Sequence, residues 1–136
     1  MEKGENPAMT ICDKDPSITI IETVEDLDLY SSVKLKEHFN NLRTAGWSKF
    51  IVDLARTKYI DSSGLGALIH MFSSTKKDEN AIIRFANISP SIFQIIKLTH
   101  LENMFQITQD VETAISEIKE IAPDSQVLPS YSITDI

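Results

Sequence analysis

Tyr59-Ile60-Asp61-Ser62-Ser63-Gly64-Leu65-Gly66 is the stretch on which the fold turns. Before it, Phe50-Ile51-Val52-Asp53-Leu54-Ala55 is a nearly unbroken apolar run, the pattern of a strand covered on both faces. After it, Leu65, Leu68, Ile69 and Phe72 recur at helical spacing. This predicts a helix from about Ser63 to Lys77 with those four side chains on its buried side. One carboxylate, Asp61, and two hydroxyls, Ser62 and Ser63, therefore fall where a strand and loop feed a helix N-terminus. The first backbone N–H groups there have no partner within the helix, and the dipole presents its positive end. A bound or covalent phosphate is well placed at such a point. Gly64 and Gly66 cost helix stability in this first turn, so they are expected to let the backbone lie close to a strand, a partner or a phosphate. For Gly66, close packing of the helix on the sheet is as good an account as function.

Toward the N-terminus, Ser17-Ile18-Thr19-Ile20-Ile21-Glu22-Thr23-Val24 is rich in β-branched residues and reads as a strand. Met9 to Asp13 reads as a short edge strand, joined to it by a turn at Asp15-Pro16, so the two are expected to pair as a hairpin. Glu25-Asp26-Leu27-Asp28 reads as an acidic loop. A helix follows from about Ser31 to Ala45, with Leu35, Phe39 and Leu42 as its apolar stripe, Ser31 or Ser32 as its cap and Gly46 as its end. His38 lies beside that stripe as a boundary residue, since no second ligand is spaced to join it on a metal.

Toward the C-terminus, Ala81 to Ala86 reads as a strand, and Ser89-Pro90 opens a helix with apolar Ile92, Ile95 and Ile96. Phe105 to Thr108 is a short last strand. Asp110 caps a final helix lined by Val111, Ala114, Ile115 and Ile118, which Pro123 ends. The order β-β-α-β-α-β-α-β-α implies an α/β domain: a mixed sheet of five strands with about four helices packed on it. Residues 9–121 form the domain, 1–8 a flexible N-terminus and 122–136 a polar tail.

A chain of 136 residues holds one core. Its formal charge of −7 argues against direct contact with nucleic acid, which needs clustered Lys and Arg, and leaves a basic protein partner open. Cys12 is the single cysteine, so neither an internal disulfide nor a cysteine metal site is expected, in keeping with a cytoplasmic protein. No signal-peptide core and no run of membrane-spanning length occurs.

Asp61-Ser62-Ser63-Gly64-Leu65-Gly66 resembles the D-S-S-G-L-G signature of the STAS-domain anti-sigma factor antagonists, and the element order over residues 9–121 is that of the family. Glu25-Asp26-Leu27-Asp28 is similar to its G-x-hydrophobic-D segment, with Glu25 standing where the family carries glycine. Ile88-Ser89-Pro90, Leu98-Thr99-His100-Leu101 and Phe105 resemble its last third. The resemblance implies a STAS-like, mostly parallel sheet. It also implies a regulator that binds an anti-sigma factor when unphosphorylated and so frees a sigma factor. The anti-sigma factor would also be the serine protein kinase that switches this chain off, with a phosphatase to restore it. Ser63 is the implied phosphorylation site, with Ser62 its competitor. Asp28, Asp61, Ser62, Ser63 and Gly64 are the implied partner-binding residues. ATP and magnesium would belong to the kinase, and no cofactor or metal to this chain.

Each site has an ordinary reading as well. A serine at a helix start is by default a cap, Asp61 is equally an N-cap, and Asp28 is equally a solvated loop carboxylate. An enzyme is not expected. A hydrolase elbow needs glycine two positions either side of its serine, where Asp61 and Leu65 stand, and His38, His70 and His100 show no pattern that marks a base. A phosphate-binding loop would need a glycine-rich run ending in Lys. The rival reading is a STAS docking subunit of a transporter or lipid-transport complex that is never phosphorylated. A small-ligand sensor is a third, without a motif to support it.

Overall fold

A computed structural model describes residues 6–122. Residues 1–5 and 123–136, with the helix-ending role expected of Pro123, lie outside the described residues. The elements run β1 (Ala8–Ile11), β2 (Ile18–Glu22), β3 (Asp26–Leu27), α1 (Leu29–Thr44), β4 (Lys49–Asp53), β5 (Tyr59–Ile60), α2 (Ser62–Lys76), β6 (Ile82–Ala86), α3 (Pro90–Leu98), β7 (Ile107–Thr108) and α4 (Val111–Ile121). Five strands form one sheet in the order β1-β2-β4-β6-β7. β1 pairs antiparallel with β2 as the expected hairpin, and the remaining pairs are parallel.

Side-chain alternation along the central strands sorts the helices onto two faces. Ile21, Phe50, Val52, Ile83 and Phe85 point to the face covered by α1, α2 and α3, where Phe39, Leu68, Met71 and Ile96 meet them. Ile18, Ile51 and Ala86 point to the other face, where Ala114, Ile115 and Ile118 of α4 cover them. β4 is buried on both sides, as its apolar run requires. Its first residue, Lys49, is buried as well, and its ammonium donates to the Ala122 carbonyl at 3.1 Å, at the end of α4. Phe105 was expected in the last strand. It lies before β7 and packs instead against Phe85, tilted, and Phe72, edge-on, with ring centroids 4.9 and 5.9 Å away.

Two expectations are corrected. Glu25 to Asp28 is not simply a loop: β3 pairs in parallel with β5 as a two-stranded ribbon apart from the main sheet. Strands of two residues have no period to read, so only the pairing reveals them. α1 begins at Leu29, before Ser31, because Asp28 is the stronger cap: its carboxylate accepts from the Tyr30 and Ser31 N–H groups at 3.0 and 3.1 Å. Gly46, with φ of 103°, ends the helix as expected of a glycine.

Candidate functional site

The ribbon builds the site. Its register sets Asp26 against Tyr59 and Leu27 against Ile60, so one step further Asp28 lies beside Asp61. The Asp61 N–H donates to the Leu27 carbonyl at 3.3 Å, and the Lys58 N–H to the Glu25 carbonyl at 2.8 Å. Glu25 needs no left-handed backbone, which among described non-glycine residues occurs only at Asn87 and His100. The chain therefore makes this connection without the family glycine. Beneath it, the Thr57 hydroxyl donates to the Val24 carbonyl at 2.6 Å and bonds the Thr23 hydroxyl. The end of β2 is thus tied to the segment entering β5. These bonds fix where α1 and α2 start, and both helices begin at the same end of the molecule.

Asp61 is the N-cap of α2, its carboxylate accepting from the Gly64 N–H at 3.0 Å. The capping role that a serine would fill by default is therefore taken. Ser62, the first helical residue, is exposed, and Ser63, the second, is half-buried. Both hydroxyls stand on the first turn, at the positive end of the helix dipole. Asp28 is likewise a cap rather than a free loop carboxylate. The Ser31 N–H holds its carboxyl below the usual carboxylate range, against a weaker opposing effect of burial, with help from the Ser31 hydroxyl and the Tyr30 N–H.

Of the two glycines expected to let the backbone lie close to something, only Gly64 does so against the fold itself. A Cβ on Gly64 would lie 2.3 Å from the Leu27 carbonyl oxygen and 2.6 Å from Ile60 Cγ1. Gly64 is thus what lets α2 sit on the ribbon. It was expected among the partner-facing residues, but it is buried and faces inward. A Cβ on Gly66 would meet nothing within 4 Å, so close packing does not account for this exposed residue. Leu65 and Ile69, expected to be buried, are half-buried, and Ala67 and Met71 take the deeper positions.

Residues not singled out by sequence complete the surface. Leu29 and Tyr30 on the first turn of α1 and Tyr59 on β5 are 56%, 48% and 54% exposed, and Val33 follows one turn along α1. By helical period Leu29 and Val33 stand well off the Leu35, Phe39 and Leu42 stripe, Val33 on the side opposite Leu42, so the pattern itself marks them as outward-facing. Glu25 and Asp26 are exposed beside them, with Lys58 paired to Glu25 at 3.6 Å. The site is an apolar patch with an acidic rim. The histidines lie elsewhere: His70 bonds Asn40 at 2.8 Å between α2 and α1, His38 bonds Asn6 at 3.3 Å, and His100 is exposed just after α3. Among the described residues no cluster of three His, Cys, Asp or Glu side chains fit to hold a metal occurs, and no helix is long and apolar enough to cross a membrane.

Known proteins share this architecture. The STAS domain family profile matches residues 11–114. The anti-sigma-B factor antagonist of Listeria monocytogenes is 24% identical over 102 residues, which span 75% of this chain and 89% of that protein. A crystal structure of an anti-sigma factor antagonist from Mycobacterium paratuberculosis superposes with a TM-score of 0.74 at 14% identity, over 84% of this chain and 93% of that one. The Bacillus cell fate determinant SpoIIAA, in its phosphorylated form, superposes with a TM-score of 0.62 at 17% identity, over 82% and 99%. With a profile match across most of its length and this fold, the chain belongs to the STAS-domain family, alongside relatives named anti-sigma factor antagonists.

Proposed function

We propose that this chain antagonises an anti-sigma factor by binding it, and that phosphorylation of Ser63 by that same partner ends the binding. The observation that carries this reading is the Ser63 hydroxyl. It stands on the first turn of α2, it is spared from capping by Asp61, and exposed Leu29, Tyr30 and Tyr59 lie at the same end of the molecule. Such apolar side chains with a polar rim suit a protein partner. In the unphosphorylated state they bury against the anti-sigma factor, and the sigma factor is released. Transcription then rises without contact between this chain and DNA, in keeping with its charge of −7.

A phosphoserine adds about −1.5 to −2 charge at neutral pH. At a helix N-terminus that charge is tolerated by the fold. At an interface it adds bulk and a desolvation cost, and Asp61 and Asp28 stand beside it as like charges. A loss of about 3–4 kcal/mol weakens a complex several hundred-fold, enough to switch partners without refolding. The catalytic base and the magnesium ligands belong to the kinase. A phosphatase resets the switch.

The test is incubation with the purified cognate anti-sigma factor kinase and Mg-ATP, followed by intact-mass and peptide mass spectrometry. One phosphate is expected on the wild type and on Ser62→Ala, and none on Ser63→Ala. Undiminished phosphate on Ser63→Ala refutes the site. A wild type that binds the anti-sigma factor but is never phosphorylated favours a docking subunit instead.

A further inference from the structure

Val33, Lys36 and Asn40 follow Leu29 along α1 at steps of four, three and four residues, so the four share one face of that helix. On α2, Ser63, His70 and Lys77 recur at steps of seven and share a face as well, with Lys77 capping the end of the helix. The two faces meet. His70 bonds Asn40 at 2.8 Å across the seam, with its ring edge-on to Phe39. Both helices start at the ribbon, so the joined faces make one strip. It runs from the apolar patch and Ser63 down the outside of the α1–α2 seam. Asn40 and Lys77 are exposed on it, and Lys36 and His70 are half-buried.

Charge changes sign along this strip. Asp26, Asp28 and Asp61 stand at its ribbon end. Lys36, His70 and Lys77 gather at the other, in a chain whose net charge is −7. Neither lysine forms an ion pair among the described residues. Asp78, next to Lys77, is taken by Arg43 at 2.9 Å. Burial first, and then Lys36 and Lys77, hold the pKa of His70 below its ordinary value, and no carboxylate offsets them. The dipole at the end of α2 accounts for a cation at Lys77. Lys36 stands in the middle of α1, where that field does not act. Like charges left together repel, and they become favourable where a partner supplies the counter-charge.

We propose that the end of the strip formed by Lys36, His70 and Lys77 binds an acidic segment of the anti-sigma factor. The inference rests on the function proposed above and adds the partner's orientation to it. Complementary potentials fix register as well as steering encounter. The partner lays apolar side chains on Leu29 and Val33, turns its carboxylates toward the two lysines, and keeps them away from Asp26 and Asp61. His70 lies about 10 Å along the helix axis from Ser63, and Lys77 about 20 Å. A phosphate on Ser63 therefore stands within about one Debye length of the near end of that acidic segment and repels it. The strip thus makes release by phosphorylation an effect of the partner's charge as well as of bulk.

Titration calorimetry with the purified cognate anti-sigma factor tests this on the full, unphosphorylated chain. Lys36→Glu combined with Lys77→Glu is expected to weaken binding about tenfold or more. Lys97→Glu combined with Lys119→Glu, the same charge change on exposed positions of α3 and α4, is expected to leave affinity within about twofold at physiological salt. A water-soluble carbodiimide joins an amine to a carboxylate in contact with it. Applied to the complex, it is expected to link Lys36 or Lys77 to an Asp or Glu of the anti-sigma factor, as read by peptide mass spectrometry. Equal affinity of wild type and the strip variant overturns the inference and leaves the function standing. An equal loss in both double variants, or cross-links that avoid both strip lysines, does the same. A wild type that fails to bind the anti-sigma factor overturns the function itself, and this contact with it.

Discussion

The starts of α1 and α2 are built alike and used differently. Each follows one strand of the same ribbon, each is capped by an aspartate, and each has serine in its first turn. At α1 the cap closes on itself. The Asp28 N–H donates to the Ser31 hydroxyl at 2.9 Å, that hydroxyl donates to the Asp26 carbonyl at 2.6 Å, and Ser31 is 2% exposed. At α2 the cap is open: Asp61 takes the Gly64 N–H, and Ser62 and Ser63 are left outside it. The same residue types thus make a structural lock at one helix and a displayed hydroxyl at its neighbour. The position of the serine relative to the cap decides which.

The largest effect is expected from placing charge at the open start. Ser63→Asp should lower affinity for the anti-sigma factor by about a hundred-fold or more by titration calorimetry, with circular dichroism unchanged. Normal binding by that variant breaks the charge mechanism. Next comes the glycine under the open cap. Gly64→Ala drives a Cβ onto the Leu27 carbonyl and should cost about 1–3 kcal/mol in urea unfolding.

Ser31→Ala opens the closed box and should cost about 1–2 kcal/mol, whereas Ser63→Ala should stay within about 0.5 kcal/mol of wild type. Equal losses at the two serines would erase the distinction. Gly66→Ala, with open space for its methyl, should gain up to about 1 kcal/mol from helix propensity. If it also weakens the complex, the partner approaches the backbone there.

The smallest effect concerns pH. The carboxyl of Asp28 is held below its ordinary value of 3.8 by the Ser31 N–H, so its ionised form stabilises the fold above that value. This contribution disappears as pH falls through the lowered value. Asp110 behaves alike through the Thr113 N–H, and Asp78 through the side chain of Arg43. Asp28→Asn should therefore flatten part of the stability loss below about pH 4 in acid unfolding, leaving the part due to the other two.

Long, strongly patterned elements were legible in the sequence. The apolar run from Phe50, the β-branched run from Ile18 and the Ser89-Pro90 helix start all appear where expected, because burial and capping leave local marks. What stayed hidden depends on chain segments distant from one another. The β3–β5 ribbon exists only as a pairing, and Asp28 prevails over Ser31 as cap because that pairing orients it. Gly64 and Gly66 look identical until Leu27 is seen above one of them and open space above the other. Leu29 and Val33 are a different case: helical period alone sets them off the Leu35, Phe39 and Leu42 stripe, so their exposure was legible in the sequence although it was not read there.

The ribbon has one more consequence, for how a kinase would meet Ser63. Backbone bonds from Asp61 to Leu27 and from Lys58 to Glu25 join stretches more than thirty positions apart in the chain. Those bonds vanish in a short synthetic peptide spanning Tyr59 to Gly66. On the reading proposed above, substrate recognition is then conformational: the enzyme reads an assembled surface, and the linear motif alone is a poor substrate.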